Sequence, residues 1–275
     1  MNTLSKMVLT VTIGLFGLAA FAGEELTVDQ IVDNALRASY YRGTDGRAKV
    51  TMTITDNQNR TRAREFVILR RNDLPAGASA EDAASFIGDQ KFYVYFSKPA
   101  DVRKMAFMVW KHTATDDDRW LYLPALDLVK RIASSEKRTS FVGSHFFYED
   151  VSGRNKDEDT HELVETSDNY YVLKNTPKKP DQVEFAWNKM WIHRKTFIVT
   201  QVDYYDRNNE SYRQYKAMKV EQVQDIPTVT KASMSDSRIG GSTVIDYADV
   251  RYNAGLPDDI FTERYLRNPP NEHLK

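Results

Sequence analysis

The chain of 275 residues contains no cysteine. This absence excludes disulfide bonds, thiolate metal sites, a cysteine nucleophile and a lipidated N-terminal cysteine. Glycine and proline are also scarce, at 12 and 9 residues, which excludes collagen-like and low-complexity chains. With 41% hydrophobic residues, a chain of this length can bury a sizeable core without covalent cross-links. We therefore expect an ordinary folded protein.

Neither sign of charge is in excess, because 38 basic residues face 39 acidic ones. A nucleic-acid partner is therefore not expected. Catalytic and nucleotide-binding motifs are missing as well: there is no G-x-S-x-G, H-E-x-x-H, Walker A or G-x-G-x-x-G. The five histidines are scattered, and none pairs with another at metal-ligand spacing. The sequence thus predicts a protein that is not an enzyme and that has no cofactor and no metal.

Two local clusters of polar residues could still carry chemistry. Asp116, Asp117 and Asp118 could hold a divalent cation, but an acidic turn between two strands explains them more simply. Ser144 and His145, with acidic residues nearby, could form part of a catalytic triad. Adjacent residues usually point apart, however, so they make a poor triad.

Residues 1–22 have the features of a secretory signal peptide. Lys6 supplies a positive charge, residues 7–20 are largely apolar, and Ala20-Phe21-Ala22 fits the cleavage rule. An uncleaved membrane anchor is the alternative, although the run is short for a membrane span of about 20 apolar residues. We therefore expect an unlipidated mature protein, residues 23–275, in the periplasm.

One clear helix is predicted over residues 24–40. Thr27 can cap it with Gln30 as capping-box partner. Five apolar residues fall on one face at helical spacing: Val28, Ile31, Val32, Ala35 and Leu36. A helix with one apolar face must pack against another element.

From residue 47 onward the hydrophobic pattern changes to a period of two, which is typical of β-strands. A hairpin with a turn at residues 56–59 comes first, and residues 72–89 form a loop or short helix. Further strands are predicted at 90–97, 105–111, 119–123, 128–132, 160–166, 170–174, 183–193, 195–206, 211–223, 228–236 and 242–252.

These patterns predict a mainly β protein. Short turns and the lack of alternating β–α units favour one antiparallel, strongly curved sheet or open barrel of about 11–12 strands, preceded by one helix. No repeat and no linker marks a boundary within residues 23–275, so a single domain is expected.

Aromatic residues are abundant, with 15 Tyr, 13 Phe and 4 Trp. A plain core accounts for many of them. Open barrels nevertheless often enclose an apolar ligand, so we also expect an apolar cavity.

Four segments carry a resemblance to a known family. They are AFMVW at 106–110, DDRWLYLPAL at 117–126, VKRI at 129–132 and FVGSHFFYED at 141–150. Together they resemble the outer-membrane lipoprotein-sorting protein family, the LolA-like superfamily, in its longer branch. The shorter lipoprotein carriers lack the central block. The resemblance covers essentially the whole mature chain.

The resemblance implies an unclosed antiparallel barrel with a helical lid over its mouth and a hydrophobic lining. It also implies a ligand, the acyl chain of a lipid or lipoprotein, and a partner, an inner-membrane transporter of the RND or MMPL type. We therefore expect a monomeric periplasmic carrier that shields its cargo on the way to the outer membrane.

The predicted cavity lining combines the apolar face of the helix with one face of the strands. The candidates are Val28, Ile31, Val32, Ala35, Leu36, Val50, Met52, Ile54, Phe66, Ile68, Phe92, Val94, Phe96, Phe107, Val109, Trp120 and Tyr122. A register slip of one residue would exchange the two faces of a strand.

The block from Gly143 to Asp150 has few strand features, so it either docks a partner, gates the barrel or forms a structural plug. Arg119 and Arg131 would need carboxylate partners if they were buried, with Asp117, Asp118 and Glu149 available.

Two other functions stay open at this stage. The same fold occurs in sensors of envelope stress, which bind a partner protein and use lipid as a signal. An accessory subunit of an RND-type exporter would hold no ligand, and a completely filled barrel would favour it.

Overall fold

The structure, a computed structural model, describes residues 25–275. The signal peptide expected at residues 1–22 lies outside this range. Thirteen β-strands form one sheet in the described part of the chain. The sequence predicts about 11–12. Their bounds are β1 Asp45–Thr55, β2 Thr61–Asn72, β3 Gln90–Lys98, β4 Ala106–Lys111, β5 Asp118–Leu123, β6 Leu128–Arg131, β7 Asp159–Thr166, β8 Tyr170–Pro177, β9 Trp187–His193, β10 Val199–Tyr205, β11 Ser211–Val223, β12 Ile226–Asp236 and β13 Ser242–Tyr252.

Every neighbouring pair of strands is antiparallel, and the order is β6-β5-β4-β3-β2-β1-β13-β12-β11-β10-β9-β8-β7. The first and last strands of the chain, β1 and β13, therefore pair in the middle of the sheet. The strands β6 and β7 form its two edges and do not pair with each other. This confirms the predicted mainly β fold with an unclosed antiparallel sheet.

Four α-helices accompany the sheet within residues 25–275. They are α1 Val28–Tyr40, α2 Ala80–Ser85, α3 Tyr148–Ser152 and α4 Arg264–Arg267. The capping box at the start of α1 is present as predicted, because Thr27 Oγ1 accepts from the Gln30 N–H and Gln30 accepts from the Thr27 N–H. No helix of this part of the chain has the length and apolarity needed to cross a membrane.

The two faces of the sheet bury different sets of residues. On the inner face, alternate residues of neighbouring strands meet in register, as in the pairs Val50–Phe66 and Met52–Ile245. The apolar face of α1 packs on the inner face near β8 and β9, where Ile31 contacts the cluster that contains Leu173 and Ile192. The helix thus covers only the part of the inner face that β7–β10 form.

The outer face of β2–β5 is covered by the C-terminal segment, residues 253–275. Phe261 and Leu266 pack against a cluster that includes Leu69 and Tyr93. Two side chains of the sheet donate to backbone carbonyls of this segment: Trp110 Nε1 to Phe261 at 2.8 Å and Tyr93 Oη to Tyr265 at 2.8 Å. The apolar residues of β2–β5 are therefore buried on both faces.

The segment that joins the two edge strands, residues 133–158, is named the plug. It contains α3 and only one isolated β-bridge, between Ser140 and Phe147. It lies against the inner face, where Phe141, Phe146 and Tyr148 join the main apolar core. The sequence block expected to dock a partner, gate the barrel or plug it is thus buried as a plug.

A buried carboxylate at the start of β1 anchors the C-terminal segment. Asp45 accepts from the N–H groups of Ala254 at 2.6 Å, Gly255 at 3.2 Å and Leu256 at 3.2 Å. We predict that Asp45→Ala lowers the free energy of unfolding by about 2–4 kcal/mol, since the buried Leu256 N–H and two partly buried N–H groups lose a charged acceptor.

Urea unfolding measures this loss, and hydrogen exchange should accelerate in residues 254–266. Asp249→Ala is the matched control, because Asp249 forms only an exposed ion pair with Lys49. Equal stability of the Asp45 and Asp249 variants would refute the anchoring role.

Candidate functional site

The inner face, α1 and the plug enclose a cavity of about 420 Å³. Ten of the thirteen strands, β1–β3 and β7–β13, contribute residues to its lining. The sheet must therefore curve around the cavity. Its volume lies in the range of about 300–1,000 Å³ that is typical of small-molecule sites.

One wall of the cavity is apolar. The helix α1 contributes Val32, Ala35 and Leu36, and β2 contributes Phe66 and Ile68. Further apolar residues come from the remaining strands: Phe92, Val94, Leu173, Met190, Val202, Met234 and Ile245. This wall suits a hydrocarbon chain, because burying apolar area from water is favourable in proportion to the area.

The plug fills the part of the barrel that β1–β5 surround. The ring of Phe141 contacts the rings of Phe66, Phe96 and Phe107 at centroid distances of 6.2, 5.8 and 5.6 Å. It also meets Tyr148 edge-on at 5.5 Å. The interior is therefore divided between a filled half and the cavity.

A buried carboxylate holds the plug together electrostatically. Glu149 is 2% exposed and pairs with Arg138 Nη1 at 2.5 Å, Lys137 Nζ at 3.1 Å and Arg154 Nη1 at 3.3 Å. Burial by itself would raise the pKa of Glu149, but the three cations outweigh it and lower the pKa to about 2. Arg138 continues the network to Glu184, just before β9, with its Nη2 2.5 Å from Oε1.

Directional hydrogen bonds tie the plug to strands on opposite sides of the barrel. Lys111 Nζ of β4 donates to the carbonyls of Ser152 at 3.0 Å and Gly153 at 2.7 Å. On the far side, the His145 N–H donates to Thr243 Oγ1 of β13 at 3.0 Å. Arg213 of β11 donates to the His145 carbonyl at 3.1 Å. The plug therefore bridges the interior from β4 to β11 and β13.

The other wall of the cavity is polar and carries four tyrosines: Tyr40, Tyr204, Tyr215 and Tyr247. Each is surrounded by protein yet keeps part of its surface open to the cavity. Burial raises the pKa of all four hydroxyls, to about 12 for Tyr204 and Tyr247, so they stay protonated. None of these hydroxyls has a hydrogen-bond partner within residues 25–275.

A row of hydrogen-bonded side chains leads to the tyrosines across β7–β9. His161 Nδ1 lies 2.7 Å from Asn175 Oδ1, and Asn175 Nδ2 donates to Asn188 Oδ1 at 2.8 Å. Asn188 pairs in register with Tyr204 of β10. The side chains of His161, Asn175 and Asn188 all line the cavity, so the polar wall continues from β7 to Tyr204 of β10.

Seven of the seventeen lining residues predicted from the sequence border the cavity. They are Val32, Ala35, Leu36, Phe66, Ile68, Phe92 and Val94. The structure brings them together from α1, β2 and β3. Their contact with a ligand stays a prediction.

The other ten candidates do not border the cavity. Val28 and Ile31 belong to the packing of α1 on the sheet. Six residues point to the inner face but contact the core that includes the plug: Val50, Met52, Ile54, Phe96, Phe107 and Val109. Trp120 and Tyr122 belong to the outer-face cluster instead, because the inner face of β5 carries Arg119, Leu121 and Leu123.

The polar wall was missed by sequence reasoning. Tyr204, Tyr215 and Tyr247 alternate with residues of the opposite face in strands that were correctly located, so the period-two pattern could have placed them inside. The sequence pattern does not show, however, that the hydroxyls of these tyrosines lack hydrogen-bond partners. Asn175 and Asn188 are polar residues at inner-face positions, which marks them as unusual in a strand.

The acidic and nucleophile-like clusters of the sequence have structural partners. The buried Arg119 pairs with Asp117 at 2.5 Å, whereas Arg131, which pairs with Asp118, is exposed. His145 is buried between Thr243 and the Gly240 carbonyl. No group of three His, Asp or Glu side chains in residues 25–275 is arranged to hold a metal ion.

Comparisons with known proteins identify relatives of this architecture. A protein-family model with the description "Uncharacterized protein" matches residues 88–268. A crystal structure of a DUF1329 family protein from Desulfovibrio piger is 29% identical, with a TM-score of 0.73 over 87% of this chain and 98% of its own. A comparison with curated proteins finds no match.

Two further crystal structures are similar. A putative outer membrane lipoprotein-sorting protein domain from Vibrio parahaemolyticus is 26% identical, with a TM-score of 0.72 over 86% of this chain and 97% of its own. A LolA superfamily protein from Nitrosomonas europaea has a TM-score of 0.65 over 88% of this chain and 100% of its own. At 19% identity, the latter likeness shows the fold alone.

The Glu149 network predicts acid sensitivity of the fold. The carboxyl has a pKa of about 2 in the folded chain against 4.5 ordinarily, so its contribution is complete above pH 4.5 and is lost as the pH falls from there towards 2. That contribution is about 3 kcal/mol. Glu149→Gln should remove a similar amount at neutral pH and flatten the acid dependence.

Urea unfolding at neutral pH and at a series of lower pH values tests both effects. Glu65→Gln is the control, because the Glu65–Lys98 pair is solvent-exposed. A Glu149→Gln variant with unchanged stability at neutral pH would contradict the electrostatic role of this carboxylate.

Proposed function

Because the chain belongs to the family whose model matches residues 88–268 and has the LolA-like fold, we propose that it is a periplasmic carrier of lipids or lipoprotein acyl chains. Its cavity takes up the hydrocarbon part of the cargo during transfer towards the outer membrane. The Vibrio parahaemolyticus structure, described as a lipoprotein-sorting protein domain, supports this cargo class.

One observation carries the proposal: the sheet, α1 and the plug surround a cavity of about 420 Å³ whose lining is mostly apolar. Protein interiors are normally packed without voids of this size. The plug packs tightly into the other half of the barrel. The chain therefore can fill this interior, yet it leaves the cavity open. A ligand-free accessory subunit would not need it.

The energetics of transfer explain why such a cavity is useful. A hydrocarbon chain loses about 0.8 kcal/mol per CH₂ group when it leaves an apolar environment for water. A cavity lined by Phe66, Ile68 and Leu173 removes most of that penalty. Such transfer requires no covalent step, so the proposed function is that of a binding protein and not of an enzyme.

Location and partners follow from the same proposal. The expected signal peptide at residues 1–22 would deliver the chain to the periplasm. We propose that it acts there as a monomer. There, a transporter of the RND or MMPL type in the inner membrane is the proposed donor of the cargo. Native mass spectrometry of detergent-free periplasmic protein would name the cargo.

Ligand binding can be measured with N-phenylnaphthylamine, a dye that fluoresces in apolar sites. We predict that the delipidated protein binds about one dye per chain and that Ala38→Trp weakens binding about tenfold or more. Ala38 lies on α1, borders the cavity and is only half-buried, so an indole can extend into the space.

The matched control is Ala63→Trp, because Ala63 is an exposed residue of β2. Both variants should have the circular dichroism spectrum of the unmodified protein. If Ala38→Trp folds and binds the dye as well as Ala63→Trp does, the cavity is not the binding site. If the unmodified, delipidated protein binds neither the dye nor a fatty acid, the carrier function is wrong.

A further inference from the structure

The cavity combines apolar residues with a polar wall whose four tyrosine hydroxyls have no hydrogen-bond partner within residues 25–275. Tyr40, Tyr204, Tyr215 and Tyr247 direct hydroxyls from α1, β10, β11 and β13 into one space. In the sheet, Tyr204 lies opposite Arg213 and Tyr215 lies opposite Val202, so the two tyrosines are diagonal neighbours on the inner face. A carrier of plain hydrocarbon chains would have no use for such a group.

An aliphatic ligand would be penalised at this wall. A hydroxyl that loses water without gaining a new partner costs about 1–3 kcal/mol. A purely apolar occupant would therefore lose on the four hydroxyls part of what it gains at the apolar wall. A ligand that supplies oxygen acceptors at the same place satisfies these donors.

The charges near the tyrosines cancel. Asp150 lines the cavity and accepts from Arg213 Nη2 at 2.5 Å and from the Phe147 N–H at 2.7 Å. Arg213 is fully buried and also stacks on Tyr204, with 4.9 Å from its guanidinium carbon to the ring centroid. The cation is already neutralised by Asp150, and the hydroxyls next to the pair are uncharged. The Asp150–Arg213 pair beside the tyrosines therefore offers no free cation to an anionic group, although Arg47 and Arg70, elsewhere in the lining, form no ion pair within residues 25–275.

We propose that the polar wall is a subsite for an uncharged oxygen-bearing group of the cargo, such as an ester or amide carbonyl, and that Tyr204, Tyr215 and Tyr247 donate to it. The cargo thus lies with its carbonyl linkage at the tyrosines and its hydrocarbon chain along the apolar wall. The inference rests on the proposed carrier function and names its ligand class. Neutral glycerolipids and the diacylglyceryl anchor of a lipoprotein share this chemistry.

A matched pair of lipids tests the inference by displacement of N-phenylnaphthylamine. Dioctanoylglycerol has two ester carbonyls, whereas dioctylglycerol has ether links of the same chain length. We expect the protein to bind the diester about tenfold more tightly than the diether, and more tightly than dodecanoate, which is charged. The Tyr204→Phe, Tyr215→Phe, Tyr247→Phe triple variant should lose this preference while still binding the diether.

Tyr95→Phe is the control, because Tyr95 packs on the outer face and should keep the preference. If the triple variant does not fold, the single variants, each lacking one oxygen, should each reduce the preference about twofold to fivefold. A diacylglyceryl-cysteine peptide distinguishes the two sources: tyrosine-dependent binding of either ligand supports the subsite, and the tighter one identifies the natural source.

Other outcomes would overturn the inference. Equal affinity of the unmodified protein for diester and diether, or tighter binding of dodecanoate, would show that no carbonyl subsite exists although the carrier function stands. An unchanged preference in the folded triple variant would show that the tyrosines do not form it. If neither the dye nor any lipid binds, the carrier function itself fails.

Discussion

The buried carboxylate of Glu149 organises the interior of this barrel. It pairs with Arg138, Lys137 and Arg154 at once, so its removal would break three buried ion pairs and leave these cations only their outer partners Glu184, Glu158 and Asp159. Breaking a buried ion pair is strongly destabilising. With the carboxylate in place, the plug can lie against the inner face and put Phe141 into the core. Where the plug ends, the cavity begins. The size and position of the cavity therefore depend on this ion-pair network.

An open sheet makes the arrangement necessary. The edges β6 and β7 do not pair, so the sheet cannot close and fill its own interior with side chains as a small barrel does. The chain covers the inner face with two elements, the plug and α1. It covers the outer face of β2–β5 with the C-terminal segment. The region between α1, the plug and strands β1–β3 and β7–β13 is not filled by side chains, and the four tyrosines line it.

Local signals predicted the fold well, whereas the site depends on long-range contacts. The capping box of Thr27 and Gln30 and the period-two strands are set by neighbours in sequence, and the structure contains them. The lining was harder, because a residue such as Phe107 points inward and is still covered by Phe141 of the plug. Trp120 was assigned to the wrong face of β5. Unpartnered hydroxyls such as that of Tyr215 can be recognised only when the surrounding strands are in place.

The helix α1 is attached differently at its two ends, and this bears on how a cargo could exchange. At the C-terminal end, the Tyr40 carbonyl accepts from Arg70 Nη1 at 2.7 Å and from Gln90 Nε2 at 2.8 Å. Near the N-terminal end, burial of Ile31 and a single ion pair between Lys156 and Asp33 hold the helix. If the hydrogen bonds at the C-terminal end break, a hydrocarbon ligand cannot replace them, and the donors are left unsatisfied. The apolar contacts at the N-terminal end need no particular geometry, so a hydrocarbon chain can replace them. The contacts near the N-terminal end are therefore the ones whose loss a bound hydrocarbon chain can compensate.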